Sequence, residues 1–279
     1  MQISCVIVSY NNGELLEEAV LSVVGQTRPV EEIIVADDAS TDGSHQLIEA
    51  LCHRHPNIKP IFRNGNLGVS VNRDLAMRDA RGDFVTWLDG DDYFLPAKIE
   101  AEANAVGESH DVIAYSDVRI RHRRKNRVEG FGIADFSRLG ASDRVRWLLR
   151  RKRQSPRSLL IPKAVHLRIG GYNHNLRTYE DWDYILRLAA EPLHWAHSGV
   201  EGTVAHPGGG LSTQAQNEHM RDELRVLRLN HRLIRRHLGL PILLATAGRV
   251  VATRSKWWMV DRYRHMRKQM LNGNARAGS

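Results

Sequence analysis

Three carboxylates follow an apolar run in the middle of the chain and could together hold a divalent cation. Residues 84–88 read as a short buried strand, and Asp89, Asp91 and Asp92 come directly after it, interrupted only by Gly90. Carboxylates about 4 Å apart repel by about 4 kcal/mol near a protein surface, so the cluster favours a cation. Such hard oxygen ligands suit Mg²⁺ or Mn²⁺, which usually also bind water and phosphate oxygens. The segment therefore predicts a metal-bound diphosphate. The structural alternative is an acidic turn in which Asp92 caps the next helix.

Two earlier segments also place polar residues at the end of a predicted strand. Residues 3–9 are apolar and β-branched and lead into the polar loop 10–13, and residues 31–36 lead into Asp37 and Asp38. Helical spacing of apolar residues separates these strands, for example over residues 14–24. The alternation of strand and helix through residue 92 predicts an α/β fold with a mostly parallel central sheet flanked by helices. In such sheets the carboxyl ends of the strands share one ligand-binding edge.

Composition limits the class of protein and of partner. The chain has 279 residues, of which 42% are hydrophobic, enough to fill a sizeable core. Its formal charge of +8 fits nucleotide phosphates, nucleic acid or an anionic membrane surface. The two cysteines, Cys5 and Cys52, form no CxxC pair, which favours a reducing compartment. The strand pattern begins at Ile3 and leaves no room for a signal peptide, so we expect a cytoplasmic location.

The second half of the chain supplies a second acidic segment. Residues 158–161 predict a strand, residues 170–172 predict a turn, and residues 180–183, Glu-Asp-Trp-Asp, open a helix. Acids in the first turn of a helix are favoured by the helix dipole, so these residues have a purely structural explanation.

Basic residues are concentrated in two tracts and in the C-terminal part of the chain. The tracts are residues 119–127 and 144–157, which are either solvated surfaces or contacts for an anionic acceptor. After residue 214 the pattern becomes helical and basic, and Trp257 and Trp258 lie among Arg and Lys residues. This tail could dock on the rest of the chain, form a homodimer through its helices, or lie on a membrane.

Four segments in this order resemble the signature segments of family 2 glycosyltransferases, inverting enzymes of the GT-A fold. They are VIVSYNNGELLEEAVLSVVGQT, EEIIVADDASTDGS, NLGVSVNRDLAMRDARGDFVTWLDGDD and GGYNHNLRTYEDWDYILRL, and the resemblance spans about residues 3–213. It implies a GT-A domain over residues 1–214, divided into a nucleotide-binding half, 1–92, and an acceptor half, 93–214. Residues 215–279 then form a basic helical extension.

The resemblance implies a UDP- or dTDP-sugar donor and assigns residues to it. Tyr10 matches the position that lines the base pocket, and Asp38 matches the acid that accepts the imide N–H of uracil or thymine. Arg73 matches the arginine of the pattern NxGxSxxRN and would neutralise diphosphate charge. Asp89, the first acid of the DxD-type motif, matches a carboxylate near the ribose and a metal-bound water. Asp74 departs from the usual asparagine and is assigned no contact.

The resemblance also implies the metal ligands and the catalytic base. Asp91 matches the direct ligand of Mn²⁺ or Mg²⁺, and His206 matches a histidine that adds a ligand or contacts the diphosphate. Asp181 matches the general base, which takes the proton of an acceptor hydroxyl opposite the leaving diphosphate. One in-line displacement then inverts the anomeric centre. The expected acceptor is a saccharide or a lipid-linked molecule, as in the synthesis of cell-surface polysaccharide.

Two other functions compete with this interpretation. A sugar nucleotidyltransferase needs a Gly-rich basic loop after the first strand, and residues 9–13, Ser-Tyr-Asn-Asn-Gly, have neither repeated glycine nor lysine. A nucleic-acid-binding protein would use the positive charge but leaves the acidic strand ends unexplained. We therefore expect no nucleic-acid partner, and a location in the cytoplasm, either free or in peripheral contact with the inner face of the plasma membrane.

Overall fold

The computed structural model describes residues 1–122, 127–131, 133–151, 156, 158–206 and 216–252. The chain divides into two compact units, Met1–Gln214 and Ala215–Ser279. Part of the basic tract at 144–157 and the tryptophans of the tail lie outside the described residues.

Within the described residues of the first unit, nine strands form one sheet in the order β3-β2-β1-β4-β8-β6-β9-β5, with β7 paired to β6. The strands are β1 Ile3–Ser9, β2 Glu32–Asp37, β3 Ile58–Phe62, β4 Phe84–Asp89, β5 Tyr93–Phe94, β6 Val112–His122, β7 Arg127–Phe131, β8 Ser158–Pro162 and β9 His194–Ala205. The first four strands are parallel to one another. Beyond β4 the sheet is mixed, because β8 runs antiparallel to both β4 and β6, while β6 and β9 are parallel.

Helices connect the parallel strands and cover the sheet, so the α/β prediction is confirmed. They are α1 Glu14–Val24, α2 Ser44–Arg54, α3 Val69–Asp79, α4 Lys98–Val106, α5 Ala141–Arg150, α6 Lys163–Arg168 and α7 Glu180–Ala190, with a 3₁₀ helix at Ala134–Arg138. All seven residues of β1 are buried, as expected for a central strand covered on both faces. Its helix α1 buries one stripe, made of Leu16, Ala19, Val20 and Val23.

One structural alternative from the sequence is wrong. Helix α4 begins at Lys98 and its N-cap position is Ala97, so Asp92 caps no helix there. The Asp92 carboxylate instead accepts the main-chain N–H of His206 at 2.8 Å. The acid is used to hold a distant segment against the end of β4.

A polar network lies under the sheet where α4 crosses it. Lys98 and Glu102 are both fully buried, and their charged groups are 2.8 Å apart. The ammonium group also bonds to the hydroxyl of Thr86 and lies 4.3 Å from the centre of the Phe94 ring. The Ser116 hydroxyl donates to Glu102 at 2.7 Å. Each charge therefore depends on a buried partner.

We expect Lys98→Met to lower the free energy of unfolding by about 3 kcal/mol, because it leaves the Glu102 charge buried without its cation. Urea unfolding followed by circular dichroism measures the change. The double variant Lys98→Met/Glu102→Leu is the control, and it should recover most of the loss because neither charge remains. A single variant within about 1 kcal/mol of the wild type contradicts the assignment.

The second unit is helical in its described part. It contains α8 Gln216–Leu229 and α9 His231–Leu238, and residues 240–252 are also helical. Val226, Leu227 and Ile234 are buried. Among the described helices, none combines the length and the apolar character that crossing a bilayer requires.

Candidate nucleotide and transfer site

The carboxyl ends of β1, β2 and β4 meet at one edge of the sheet. Strand β1 lies between the other two, and its register places Ser9 opposite Asp37 and Val8 opposite Asp89. After β1 the chain adds β2 and β3 on one side of it and then returns to add β4 on the other side. The edge at β1 is therefore a topological switch point, where open α/β sheets bind their ligands. The predicted nucleotide-site residues Tyr10, Asp38 and Asp89 therefore lie at the same edge.

Two asparagines that the sequence analysis did not single out shape this edge. The Asn12 carboxamide oxygen accepts the Tyr10 main-chain N–H at 2.9 Å and the Ser9 hydroxyl at 3.1 Å. The Asn11 oxygen accepts the main-chain N–H of Thr41 at 2.8 Å, which ties the loop after β1 to the loop after β2. Asn11 has a φ of 52°, a conformation that asparagine tolerates better than most residues.

Gly90 interrupts the acidic cluster for a steric reason. A Cβ atom at this position would lie 2.9 Å from the Val8 carbonyl oxygen and 3.0 Å from the Asn12 oxygen. The Gly90 N–H donates to the same Val8 carbonyl at 2.8 Å. The close approach keeps the acids on either side of Gly90 at the end of β1.

Asp38 is buried and already holds a turn. Its two oxygens accept the main-chain N–H groups of Leu67 and Gly68, both at 2.8 Å. A carboxylate oxygen can accept two hydrogen bonds, so capacity for the imide N–H of a base remains. Asp37 holds a different turn, the one directly after β2, since it accepts the main-chain N–H of Ser40 at 2.8 Å. Tyr10 is 49% exposed at the adjacent strand end, which suits a ring that stacks on a ligand.

Arg73 connects the two halves of the first unit. Its side chain is only 3% exposed, so Arg73 does not face solvent from an amphipathic α3. The guanidinium forms an ion pair with Asp89 and lies 3.6 Å from the Glu180 carboxylate. It also lies 5.2 Å from the centre of the Tyr172 ring. Burial alone would lower the pKa of Arg73, but the charges of Asp89 and Glu180 outweigh it and the pKa is raised.

Asp74, which was assigned no contact, is buried and is the centre of a cluster of polar contacts. It accepts the Tyr172 main-chain N–H at 2.8 Å, Arg78 at 2.9 Å and His174 at 2.8 Å, and His166 lies 3.3 Å away. Burial alone would raise the pKa of Asp74, but these bonds hold it well below its usual range. The cluster joins α3 to the segment that carries Tyr172.

Glu180 and Asp181 begin α7 in different surroundings. Glu180 is 15% exposed and faces Arg73. Burial and the neighbouring charge of Asp181 raise the pKa of Glu180 to about 7, although Arg73 acts in the opposite direction. The Asp181 carboxylate accepts the main-chain N–H of Trp182 at 2.7 Å. Trp182 itself is buried and donates its indole N–H to Leu148, so it is a core residue and offers no face to a sugar.

The predicted metal ligands Asp91 and His206 lie together at the end of β4. His206 Nδ1 bonds to the Asp91 main-chain oxygen at 2.7 Å. A carbonyl oxygen only accepts, so Nδ1 carries the proton and a neutral ring presents the Nε2 lone pair, as a metal ligand requires. Within the part of the chain that the structure describes, no three acidic, histidine or cysteine side chains form a ready metal cluster. One carboxylate and one imidazole fit a metal that is completed by diphosphate and water.

The structure thus forms two groups from the predicted residues. In the first group Arg73 contacts Asp89 and lies near Glu180. In the second group His206 contacts the main chain of Asp91. Sequence reasoning missed Glu180 as the partner of Arg73. The pKa of Glu180 is raised because its side chain is buried, and the spacing of residues in the sequence does not reveal that burial.

Comparison with known proteins gives the family. The family model described as "Glycosyl transferase family 2" matches residues 4–166. The cholesterol galactosyltransferase of Borreliella burgdorferi is 34% identical over 113 residues, which are 40% of this chain and 31% of that protein. The putative teichuronic acid biosynthesis glycosyltransferase TuaG of Bacillus subtilis is 33% identical over 100 residues, which are 36% of this chain and 40% of that protein. The chain therefore spans less than half the length of both relatives.

A solved structure gives the fold. The crystal structure of S. aureus TarS residues 1–349 in complex with UDP-GlcNAc superposes with a TM-score of 0.67 at 22% identity. The match covers 84% of this chain and 67% of that one. This similarity confirms the GT-A fold predicted from the sequence. Because the family model covers more than half of the sequence, the chain belongs to glycosyl transferase family 2.

Proposed function

We propose that the protein is an inverting, metal-dependent glycosyltransferase that moves a sugar from a UDP- or dTDP-sugar to an acceptor hydroxyl. The observation that carries the proposal is the position of Arg73. Its buried guanidinium contacts Asp89 at the nucleotide edge and lies 3.6 Å from Glu180 beside the predicted base. Donor and acceptor chemistry would therefore meet at one cation. The UDP-GlcNAc bound by TarS supports a nucleotide-sugar donor.

The nucleoside would bind at the ends of β1 and β2. Tyr10 stacks on the base, and Asp38 uses its remaining acceptor capacity for the imide N–H. Cytosine lacks that proton, so the site selects uracil or thymine. Asp89, held by Arg73, lies near the ribose.

The diphosphate would bind between Arg73 and the end of β4. Arg73 neutralises negative charge as the leaving group departs. Asp91 and His206 would hold Mn²⁺ or Mg²⁺, which supplies Lewis-acid stabilisation of that charge. Asp181 accepts the proton of the attacking hydroxyl as its oxygen bonds to the anomeric carbon and the bond to the diphosphate breaks. Attack opposite the leaving group inverts the anomeric centre.

The names of two relatives support a proposal for the acceptor class. TuaG is named for the synthesis of teichuronic acid, and the Borreliella enzyme is named for cholesterol. We propose a saccharide or lipid-linked acceptor in the synthesis of cell-surface polysaccharide or another glycoconjugate.

A hydrolysis screen tests the proposal without knowledge of the acceptor. The protein is incubated with UDP-, dTDP- and CDP-sugars, with Mn²⁺ or with a chelator, and the released nucleoside diphosphate is measured. We expect slow hydrolysis of at least one UDP- or dTDP-sugar with Mn²⁺. The CDP-sugar with the same hexose is the matched control and should remain intact, because cytosine has no imide N–H to donate to Asp38.

Two results contradict the proposal. If the CDP-sugar is hydrolysed as fast as the UDP- or dTDP-sugar, Asp38 does not select the base. If the rate with chelator equals the rate with Mn²⁺, the reaction does not depend on a metal. Formation of pyrophosphate from UTP and a sugar 1-phosphate would instead identify a nucleotidyltransferase.

A further inference from the structure

The net positive charge of the chain lies entirely in its C-terminal unit. Residues 215–279 contain 14 Lys and Arg and 4 Asp and Glu, a formal charge of +10. Residues 1–214 contain 26 and 28, a formal charge of −2. In the proposed function the donor diphosphate binds to residues 1–214, the unit that is not basic overall. The positive charge of the second unit therefore needs another explanation.

Helices α8 and α9 expose arginines at helical spacing. On α8, Arg221, Arg225 and Arg228 recur every three or four residues and are exposed. On α9, Arg232, Arg235 and Arg236 are exposed, whereas Ile234 is fully buried. Residues three and four apart share one side of a helix, so each helix presents a basic surface. These six residues are called the arginine surface below.

The next helix, residues 240–252, exposes an apolar stripe. Leu240, Leu244 and Val251 are 49%, 62% and 50% exposed. At about 100° per residue these three side chains lie within about 40° of one another around the helix axis. Thr246 and Val250, which are buried, lie about 80° to 160° away from them. The helix thus packs with one side and presents leucine and valine on the other.

We propose that the arginine surface and the apolar stripe form a contact surface for an anionic lipid bilayer. Arginines attract the headgroups, and exposed leucines enter the boundary between headgroups and acyl chains. A nucleic acid would satisfy the arginines but would give the apolar stripe no partner. A second copy of the chain would bring one unit of charge +10 against another, which opposes association. The proposal does not depend on the transfer activity.

Vesicle sedimentation with the full chain tests the surface. The vesicles are phosphatidylcholine alone or phosphatidylcholine with 30 to 40% phosphatidylglycerol (roughly the charge density of an anionic leaflet). We expect binding to the anionic vesicles only, and release at about 1 M salt, where the Debye length is about 3 Å. The triple variant Arg232→Gln/Arg235→Gln/Arg236→Gln should weaken partitioning by about 100-fold, since each arginine contributes about fivefold.

Matched controls remove the same chemistry from the first unit. Arg54→Gln/Arg81→Gln/Arg138→Gln removes three exposed arginines there, and Leu21→Ser/Leu167→Ser removes two exposed leucines. Both controls should bind vesicles like the wild type. Leu240→Ser/Leu244→Ser should weaken binding by about tenfold or more. Thermal melting verifies that each variant is folded.

Four outcomes overturn the proposal. One is absence of binding to anionic vesicles by the wild type, and another is equal loss with the control variants. The third is that the wild type binds no vesicles and that replacing Leu240 and Leu244 converts a dimer to a monomer in sedimentation. This result would assign the apolar stripe to a contact with a second copy of the chain. An electrophoretic shift of RNA that persists in the leucine variant, again without vesicle binding, would assign the arginines to nucleic acid.

Discussion

Replacing Asp181 with asparagine is expected to slow sugar transfer by about two to four orders of magnitude, the usual contribution of a positioned general base. The change keeps the size of the side chain and its acceptor oxygen for the Trp182 N–H, which lies 2.7 Å away. It removes the negative charge that accepts the hydroxyl proton. Donor binding should survive, because Asp181 belongs to the acceptor side of the proposed site. Transfer kinetics and calorimetry with UDP measure the two effects separately.

Glu180→Gln is the matched variant, because Glu180 precedes Asp181 and faces Arg73 at 3.6 Å. Its pKa is raised to about 7, so its carboxylate loses a proton as the pH rises through neutrality. Suppose that the rate of transfer rises over that pH range, and that this rise is lost in Glu180→Gln while Asp181→Asn stays active. This result would assign proton acceptance to Glu180. If both variants keep near-normal turnover, the base is outside this segment.

Replacing Asp91 with alanine is expected to abolish transfer and the Mn²⁺-dependent part of UDP binding. Without this carboxylate the proposed site keeps only His206 as a protein ligand, and the charge on the departing diphosphate loses its Lewis acid. The His206 ring should stay in place, because its Nδ1 bonds to the main-chain oxygen of Asp91 and not to its carboxylate. Calorimetry of UDP with and without Mn²⁺ checks the result beside the transfer assay.

Asp92→Asn is the control for that experiment. Its carboxylate accepts the His206 main-chain N–H at 2.8 Å, and an asparagine oxygen can accept the same bond. Metal-dependent binding should therefore remain close to that of the wild type. Mn²⁺-dependent turnover that survives in Asp91→Ala would exclude Asp91 as the ligand, and loss in Asp92→Asn would move the role to Asp92.

Local patterns were sufficient to predict the parallel half of the sheet. The apolar run of β1 and the helical spacing of α1 are written in adjacent residues, and α1 begins and ends at the predicted positions, Glu14 and Val24. The placement of Asp89 at the ligand edge followed from the same pattern. The antiparallel insertion of β8 between β4 and β6 did not, because strands far apart in sequence pair through packing that no short window contains.

The site could be predicted in its residue types but not in its partners. Arg73 was expected near the diphosphate, but its contact with Glu180 joins residues more than 100 positions apart. Trp182 lies next to the predicted base, and only its burial and its bond to Leu148 show that it is a core residue. Such choices depend on what other elements pack against a side chain, so one sequence leaves them open.

The Asp74 cluster limits how this chain can be recombined with its relatives. A buried aspartate on α3 is stabilised by Tyr172, His174 and His166, all of which come from the second half of the domain. In a chimera whose residues 93–214 come from a relative with asparagine at this position and lack these histidines, the buried anion would keep Arg78 but lose His166 and His174. Exchange of residues 93–214 between family members thus requires residue 74 to travel with that segment, although it lies in residues 1–92.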